Sequence, residues 1–127
     1  MKTYSMRIAG APAPAISGEW FETQNPYTGE AWARVARGAA EDVDVAVQAA
    51  HFAFSEGPWA ELTATERGRL LYRLADLIER DARKLAETEV RDNGKLFAEM
   101  LGQLTYLPQW FRYYGGLADK IHGSTLP

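Results

Sequence analysis

Near residue 40 the hydrophobic period of this chain changes from two to about 3.6, and that switch limits the fold more than any other feature. Residues 1–38 carry strand and turn signals. Trp20 to Gln24 and Ala31 to Ala36 read as short strands, with Trp20, Phe21, Trp32 and Val35 as the β-prone residues. Between them lies Asn25-Pro26-Tyr27-Thr28-Gly29-Glu30. Asn-Pro starts a turn and Gly29 can take φ > 0, so a tight reversal joining two antiparallel strands is expected. Upstream, Met6-Arg7-Ile8 alternates weakly. Ala11-Pro12-Ala13-Pro14-Ala15 is extended, because proline fixes φ and biases its predecessor away from helix. Ser17-Gly18 is a turn signal.

From Glu41 the pattern is helical, over a region taken as 41–122. Val43, Ala46, Val47, Ala50, Ala53 and Phe54 share one face of a first helix, and Gly57-Pro58 ends it. Glu41, Asp42 and Asp44 sit in its first turn, where carboxylates favour the positive end of the helix dipole. Thr63-Ala64-Thr65-Glu66 matches a capping box and starts a second helix. Leu70, Leu71, Leu74, Leu77, Ile78 and Leu85 form its apolar stripe, with Asp76–Arg80, Glu79–Arg83 and Glu87–Arg91 as i, i+4 pairs. A run from Ala64 to Asp92 would span about 43 Å, so a bend near Asp81 is expected. Asn93-Gly94 is the stop. A third helix runs from about Lys95 to Lys120 on Phe97, Met100, Leu101, Leu104, Phe111, Tyr114, Leu117 and Ile121. Pro108 predicts a kink or break within it, and Gly115-Gly116 weakens it again. After Gly123 the chain reads as extended, without a closing element. The expected fold class is α+β: N-terminal antiparallel β-hairpin strands followed by three α-helices.

Composition narrows the function classes. A length of 127 residues suits one domain with a real core. A net charge of −3 argues against nucleic acid as a partner, and no stretch approaches the roughly 20 apolar residues that span a bilayer. Met1 to Gly10 has no apolar run of the secretory kind, so a cytoplasmic setting is expected. Zero cysteines exclude a disulfide scaffold, a thiolate metal site and any thiol nucleophile within these residues. His51 and His122 have no second ligand nearby and read as surface residues. Neither G-x-G-x-x-G nor G-x-x-x-x-G-K-[ST] occurs. Tyr106, Trp110, Phe111, Tyr113 and Tyr114 form an aromatic cluster, for which core packing is favoured and the wall of an apolar pocket is the alternative.

The order of the motifs carries the reading further. Asn25-Pro26-Tyr27-Thr28-Gly29-Glu30 resembles the N-P-x-T-G-E turn near the start of aldehyde dehydrogenases. Next come Glu41-Asp42-Val43-Asp44 with an Ala-rich helix, Pro58-Trp59, and Arg67-Gly68-Arg69-Leu70-Leu71 with Leu74-Ala75-Asp76-Leu77-Ile78-Glu79. Asp92-Asn93-Gly94-Lys95 follows, then Arg112-Tyr113-Tyr114-Gly115-Gly116-Leu117-Ala118-Asp119-Lys120, which is similar to the family's R-Y-Y-A-G-x-A-D-K segment. Each is weak alone, but six in the family's order cover almost the whole chain.

The resemblance implies an NAD(P)-dependent oxidoreductase that oxidises an aldehyde to a carboxylic acid. In that chemistry a cysteine thiolate attacks the aldehyde, hydride passes to the nicotinamide, and a glutamate activates water to hydrolyse the thioester. No residue here matches those catalytic or cofactor-gripping motifs, so no catalytic and no cofactor-binding residue is assigned. Residues 1–127 would be the N-terminal part of an α/β, Rossmann-like cofactor-binding domain, with the catalytic domain absent. NAD or NADP would belong to the parent and none to this chain alone. Partners implied are the remainder of the dehydrogenase chain, a homo-oligomer of the parent and a small aldehyde. Two lesser implications concern sites. Thr23, Gln24 and Asp92 would hold a structural monovalent cation, and Tyr106, Trp110 or Phe111 would line the substrate tunnel.

Two rival readings are a stand-alone helical protein-interaction module and a small ligand-binding protein using the aromatic cluster. The absence of a closing element counts against the first. Helices whose apolar faces await a sheet should associate, because exposed apolar patches beyond a few hundred Å² favour self-association. The isolated chain is therefore expected to sediment as an oligomer or aggregate, and a clean monomer with a cooperative melt would contradict this.

Overall fold

A computed structural model describes residues 1–126; Pro127, the end of the expected extended exit, lies outside the described residues. The elements are β1 (Lys2–Tyr4), β2 (Met6–Ile8), β3 (Ala11–Ala13), β4 (Trp20–Gln24), β5 (Ala31–Ala36), α1 (Ala40–Ser55), α2 (Pro58–Glu61), α3 (Ala64–Asn93) and α4 (Phe97–Leu117). The α+β class holds: strands lead, and three long helices follow, with α2 an additional single turn. The chain divides into two compact units. One comprises Met1–Glu61 with Arg91–Gly94, and the other comprises Leu62–Val90 with the chain from Lys95 onward.

In the first unit β4 and β5 pair antiparallel as expected, with Trp20 opposite Ala36. The reversal closes through Asn25 N–H donating to the Glu30 carbonyl (2.9 Å) and Gly29 N–H to the Asn25 carbonyl (2.8 Å). Asn25 Oδ1 also accepts from Tyr27 N–H (2.9 Å), and Gly29 takes φ 70°. Two pairings were not expected from the sequence. β1 lies parallel to β5, completing a sheet of order β1-β5-β4, and β2 pairs antiparallel with β3. The β2–β3 reversal uses only Ala9 (φ 50°) and Gly10 (φ 78°), the two positive φ values that a two-residue hairpin loop requires.

Helix α1 begins on a buried carboxylate. Asp42, 3% exposed, accepts from the N-cap amide of Ala39 (2.9 Å) and from the amide of Ile16 (3.0 Å), tying the segment before β4 to the helix start. The buried side of α1 is not the expected one. Val43, Val47 and Phe54 are exposed, while Asp42, Ala46 and Ala49 turn inward. Short side chains let the helix axis approach closely enough for the carboxylate to reach two amides. The larger apolar residues are left outside.

The second unit repeats this inversion. The capping box forms as read: Glu66 N–H donates to Thr63 Oγ1 (3.3 Å), and Thr63 N–H donates back to Glu66 Oε2 (2.8 Å). The Thr63 amide and hydroxyl hold the Glu66 carboxyl below its usual range. Helix α3 then runs unbroken through Asp81 and ends at Asn93, with Gly94 at φ 75° in the expected left-handed stop. Its buried residues are Gly68, Ala75, Ala82 and Ala86, spaced seven, seven and four apart. The leucine stripe stays 37–45% exposed at Leu70, Leu74, Leu77 and Leu85, and only Leu71 and Ile78 are half-buried. The small face is used because α4 packs there antiparallel. Met100 and Leu104 fill the space beside Ala82 and Ala86. At the far end Gly68 meets Gly115 so closely that a Cβ on Gly68 would lie 2.5 Å from the Gly115 carbonyl oxygen.

Helix α4 continues through Pro108 without the expected break. The proline ring is fully buried, so its packing offsets the single backbone bond it removes. Gly115-Gly116 is likewise no weak point, since it is where the helices touch. The expected i, i+4 ion pairs of α3 are also redrawn. Asp76 and Glu79 both accept from Arg112 of α4, Arg80 pairs with Asp81, and Arg83 pairs with Glu87. A cross-helix guanidinium serves two carboxylates at once, a geometry unavailable within one helix.

Gly68→Ala is expected to destabilise the protein by about 1–3 kcal/mol, through forced separation of the helices. Gly102→Ala, on the same helix as Gly115 but with nothing within 4 Å of the added methyl, should be stabilising by up to about 1 kcal/mol. Urea unfolding of both variants checks this, and equal shifts would overturn the close-packing account.

Candidate functional site

Two places bring together residues singled out in the sequence, one in each unit. The first lies at the end of β4. Thr23 Oγ1 donates to Asp92 Oδ1 at 2.6 Å, across 69 residues of chain. Two turns place them. Gly94 packs on the Pro26 ring, where a Cβ would lie 3.2 Å from Pro26 Cβ, so the D-N-G stop abuts the N-P turn. Beside them the Arg91 guanidinium stands over the Trp32 ring at 5.6 Å. Trp32 is the extra residue of a β-bulge, since Thr23 pairs with Ala33 and Gln24 with Ala31. Gln24 is exposed and makes no side-chain hydrogen bond to either partner among the described residues. The structure thus joins Thr23 to Asp92 and leaves Gln24 apart. No group of three or more His, Cys, Asp or Glu residues that could hold a metal ion occurs among the described residues.

The second place is the outward face of α4. Tyr106, Trp110 and Tyr114, four residues apart, form a column: Tyr106 meets Trp110 edge-on (6.1 Å, 80°) and Trp110 stacks on Tyr114 (6.5 Å, 23°). Tyr113 meets Tyr114 edge-on at 5.3 Å. These four rings are exposed, which corrects the core-packing reading of the cluster. Met100, Leu104, Pro108 and Gly115 already occupy the side of α4 that faces α3, so the rings have no room there. Tyr106, Gln109, Trp110 and Tyr113 line an open cleft of about 220 Å³. Phe111 is half-buried and does not line it; Gln109 and Tyr113 do. Helical spacing contained that signal, because 106, 109, 110 and 113 share one face.

A smaller polar groove at the glycine contact was not anticipated. Asp119 accepts from Thr65 Oγ1 (3.1 Å) and from Lys120 Nζ (2.6 Å), which together hold its carboxyl below the usual range. Lys120 Nζ also donates to the Gly116 carbonyl (2.7 Å). The polar groups satisfy one another and leave no reactive group. His51 and His122 are exposed, as read.

The family model described as the aldehyde dehydrogenase family matches residues 14–127. The chain belongs to the aldehyde dehydrogenase family. It is 53% identical over 115 residues to the mitochondrial aldehyde dehydrogenase of Rattus norvegicus, covering 89% of this chain and 22% of that protein. It is 48% identical over 107 residues to a (Z)-2-((N-methylformamido)methylene)-5-hydroxybutyrolactone dehydrogenase of Acinetobacter baylyi, covering 84% of this chain and 22% of that one. The structure superposes on an NAD+ complex of aldehyde dehydrogenase from Bacillus cereus with a TM-score of 0.94 and 44% identity, over 99% of this chain and 26% of that chain. The chain therefore spans about a fifth of the length of these curated relatives and about a quarter of that solved structure. The family match begins just after β3, whereas the structural likeness extends over β1 to β3 as well.

Thr23→Val is expected to lower stability by about 0.5–1.5 kcal/mol by removing the bond to Asp92, while Thr23→Ser should retain most of it. Denaturant midpoints of the two variants check this, and equal losses would mean that the hydroxyl contributes nothing.

Proposed function

We propose that these residues form the N-terminal part of an NAD(P)-dependent dehydrogenase that oxidises an aldehyde to a carboxylic acid. Their role is structural support for its cofactor-binding domain. The observation that carries this is the uncovered leucine face of α3, left 37–45% exposed at four positions while the small face is used on α4. A helix with an apolar stripe of that width packs on a further layer. The likeness to an enzyme solved with NAD+ supports the same reading.

The chemistry would come from elsewhere in the parent. With no cysteine, the chain offers no thiolate to attack an aldehyde. Nor do its residues fit a dinucleotide: the first turns of α1 and α3 are occupied by Asp42 and Glu66, and a carboxylate at a helix N-terminus opposes a pyrophosphate. NAD or NADP is therefore assigned to the parent and not to these residues. What this chain contributes is the α4 cleft, read as part of the substrate passage, with Phe111 behind it. The Thr23–Asp92 pair supplies hard oxygen donors suited to a monovalent cation, with Gln24 at its edge. The partners in this reading are the rest of the dehydrogenase chain, further copies of the parent and a small aldehyde. The setting is cytoplasmic, in keeping with the absence of cysteine.

The test begins with the intact mass of the natural polypeptide in its source cells. A mass several-fold above 14.2 kDa is expected, together with aldehyde-dependent NADH or NADPH formation by that longer protein and none by residues 1–127 alone. A natural mass of 14.2 kDa, or turnover by the short chain, overturns the proposal.

A further inference from the structure

We propose that the aldehyde received at the α4 cleft carries an uncharged, flat aromatic ring as its non-reacting group, and that Trp110 and Tyr113 select for it. The inference rests on reading the cleft as part of the substrate passage. Three of the four lining residues are aromatic, and the fourth, Gln109, is a neutral amide. No lining side chain is charged near neutral pH. A substrate carboxylate or phosphate entering here loses water without meeting a cation, which disfavours it. A quaternary ammonium group would be drawn to the ring faces, yet it too finds no opposite charge in the lining. An aryl ring gains from every wall. Tyr106 and Trp110 stand nearly perpendicular, so a flat guest can lie offset against one ring and edge-on to the other. Trp110 is braced from below by its stack on Tyr114, which keeps its orientation without closing the cleft. The size also fits, since about 150 Å³ of apolar cavity holds a benzene molecule and this cleft offers about 220 Å³. Gln109 stands ready to donate to, or accept from, a neutral ring substituent such as a phenol or methoxy group.

The experiment measures steady-state NADH or NADPH formation by the full natural polypeptide. The substrates are benzaldehyde, acetaldehyde, 4-oxobutanoate and trimethylammonioacetaldehyde. The wild type is expected to favour benzaldehyde over acetaldehyde by about tenfold in kcat/KM, and to favour both over the two charged aldehydes. Trp110→Ala should remove most of that preference, lowering kcat/KM for benzaldehyde about tenfold and for acetaldehyde less than about twofold. Gln109→Arg, on the solvent-facing side of α4, should raise kcat/KM for 4-oxobutanoate and leave acetaldehyde unchanged. It keeps the proposal open to refutation if the Trp110 variant folds poorly. Acetaldehyde turnover with a wild-type preference for a charged aldehyde overturns the ring selection, as does an equal loss on both neutral aldehydes in Trp110→Ala. Absence of turnover with every aldehyde overturns the dehydrogenase reading itself, so the two failures are distinguishable.

Discussion

The contact between Gly68 and Gly115 sets the geometry of the second unit. With a Cβ on Gly68 only 2.5 Å from the opposing carbonyl oxygen, no other residue type fits there without moving a helix. The close approach at this end, and the Ala82–Ala86 surface packed by Met100 and Leu104 at the other, choose which side of each helix is inside. Everything else on those helices follows by rotation. The leucine stripe of α3 is turned away from α4, and the aromatic column of α4 faces outward. Arg112, reaching both Asp76 and Glu79, fastens the flank of the same contact. Ion pairs this exposed contribute at most about 1 kcal/mol each, so backbone proximity and burial dominate.

A different device orders the first unit. Asp42 spends its carboxylate on two amides 23 residues apart in sequence, Ile16 and Ala39, and is almost completely buried in doing so. Its burial requires small neighbours, which is why alanines line the inner side of α1. The tight turn at Asn25–Glu30 then places Thr23 against Asp92, with Gly94 fitted to Pro26. Both units thus bring backbone close to backbone and leave large apolar side chains outside. An enzyme segment that must seat further layers of structure would carry its apolar surface in that place.

The same arrangement explains how a chain without catalytic groups can still bear on specificity. A surface helix whose buried side is filled by Met100, Leu104, Pro108 and Gly115 has its opposite side free for ligand contact. That side holds rings and one amide. Two aromatic residues spaced four apart and braced by a third give a rigid wall, in contrast to a mobile aliphatic lining.

Much of this was legible in the sequence. The period switch gave the α+β order, and β4, β5, the N-P-Y-T-G-E reversal, the Thr63–Glu66 box and the Gly94 stop are local devices whose partners lie within a few residues. Motif order, a one-dimensional property, identified the family. The buried faces were not legible, because amphipathicity weighs a leucine above an alanine or glycine, whereas packing distance favours the smaller residue when two helices touch. Hence Leu70, Leu74, Leu77 and Leu85 were expected inside and Gly68, Ala75, Ala82 and Ala86 were found there. The β1–β5 pairing, the Arg112 fork and the replacement of Phe111 by Gln109 and Tyr113 at the cleft were equally hidden. Local hydrogen bonding and periodicity let the sequence alone determine the elements and their ends. Which faces met was decided only in three dimensions, because the distance of closest approach between two backbones depends on both surfaces at once.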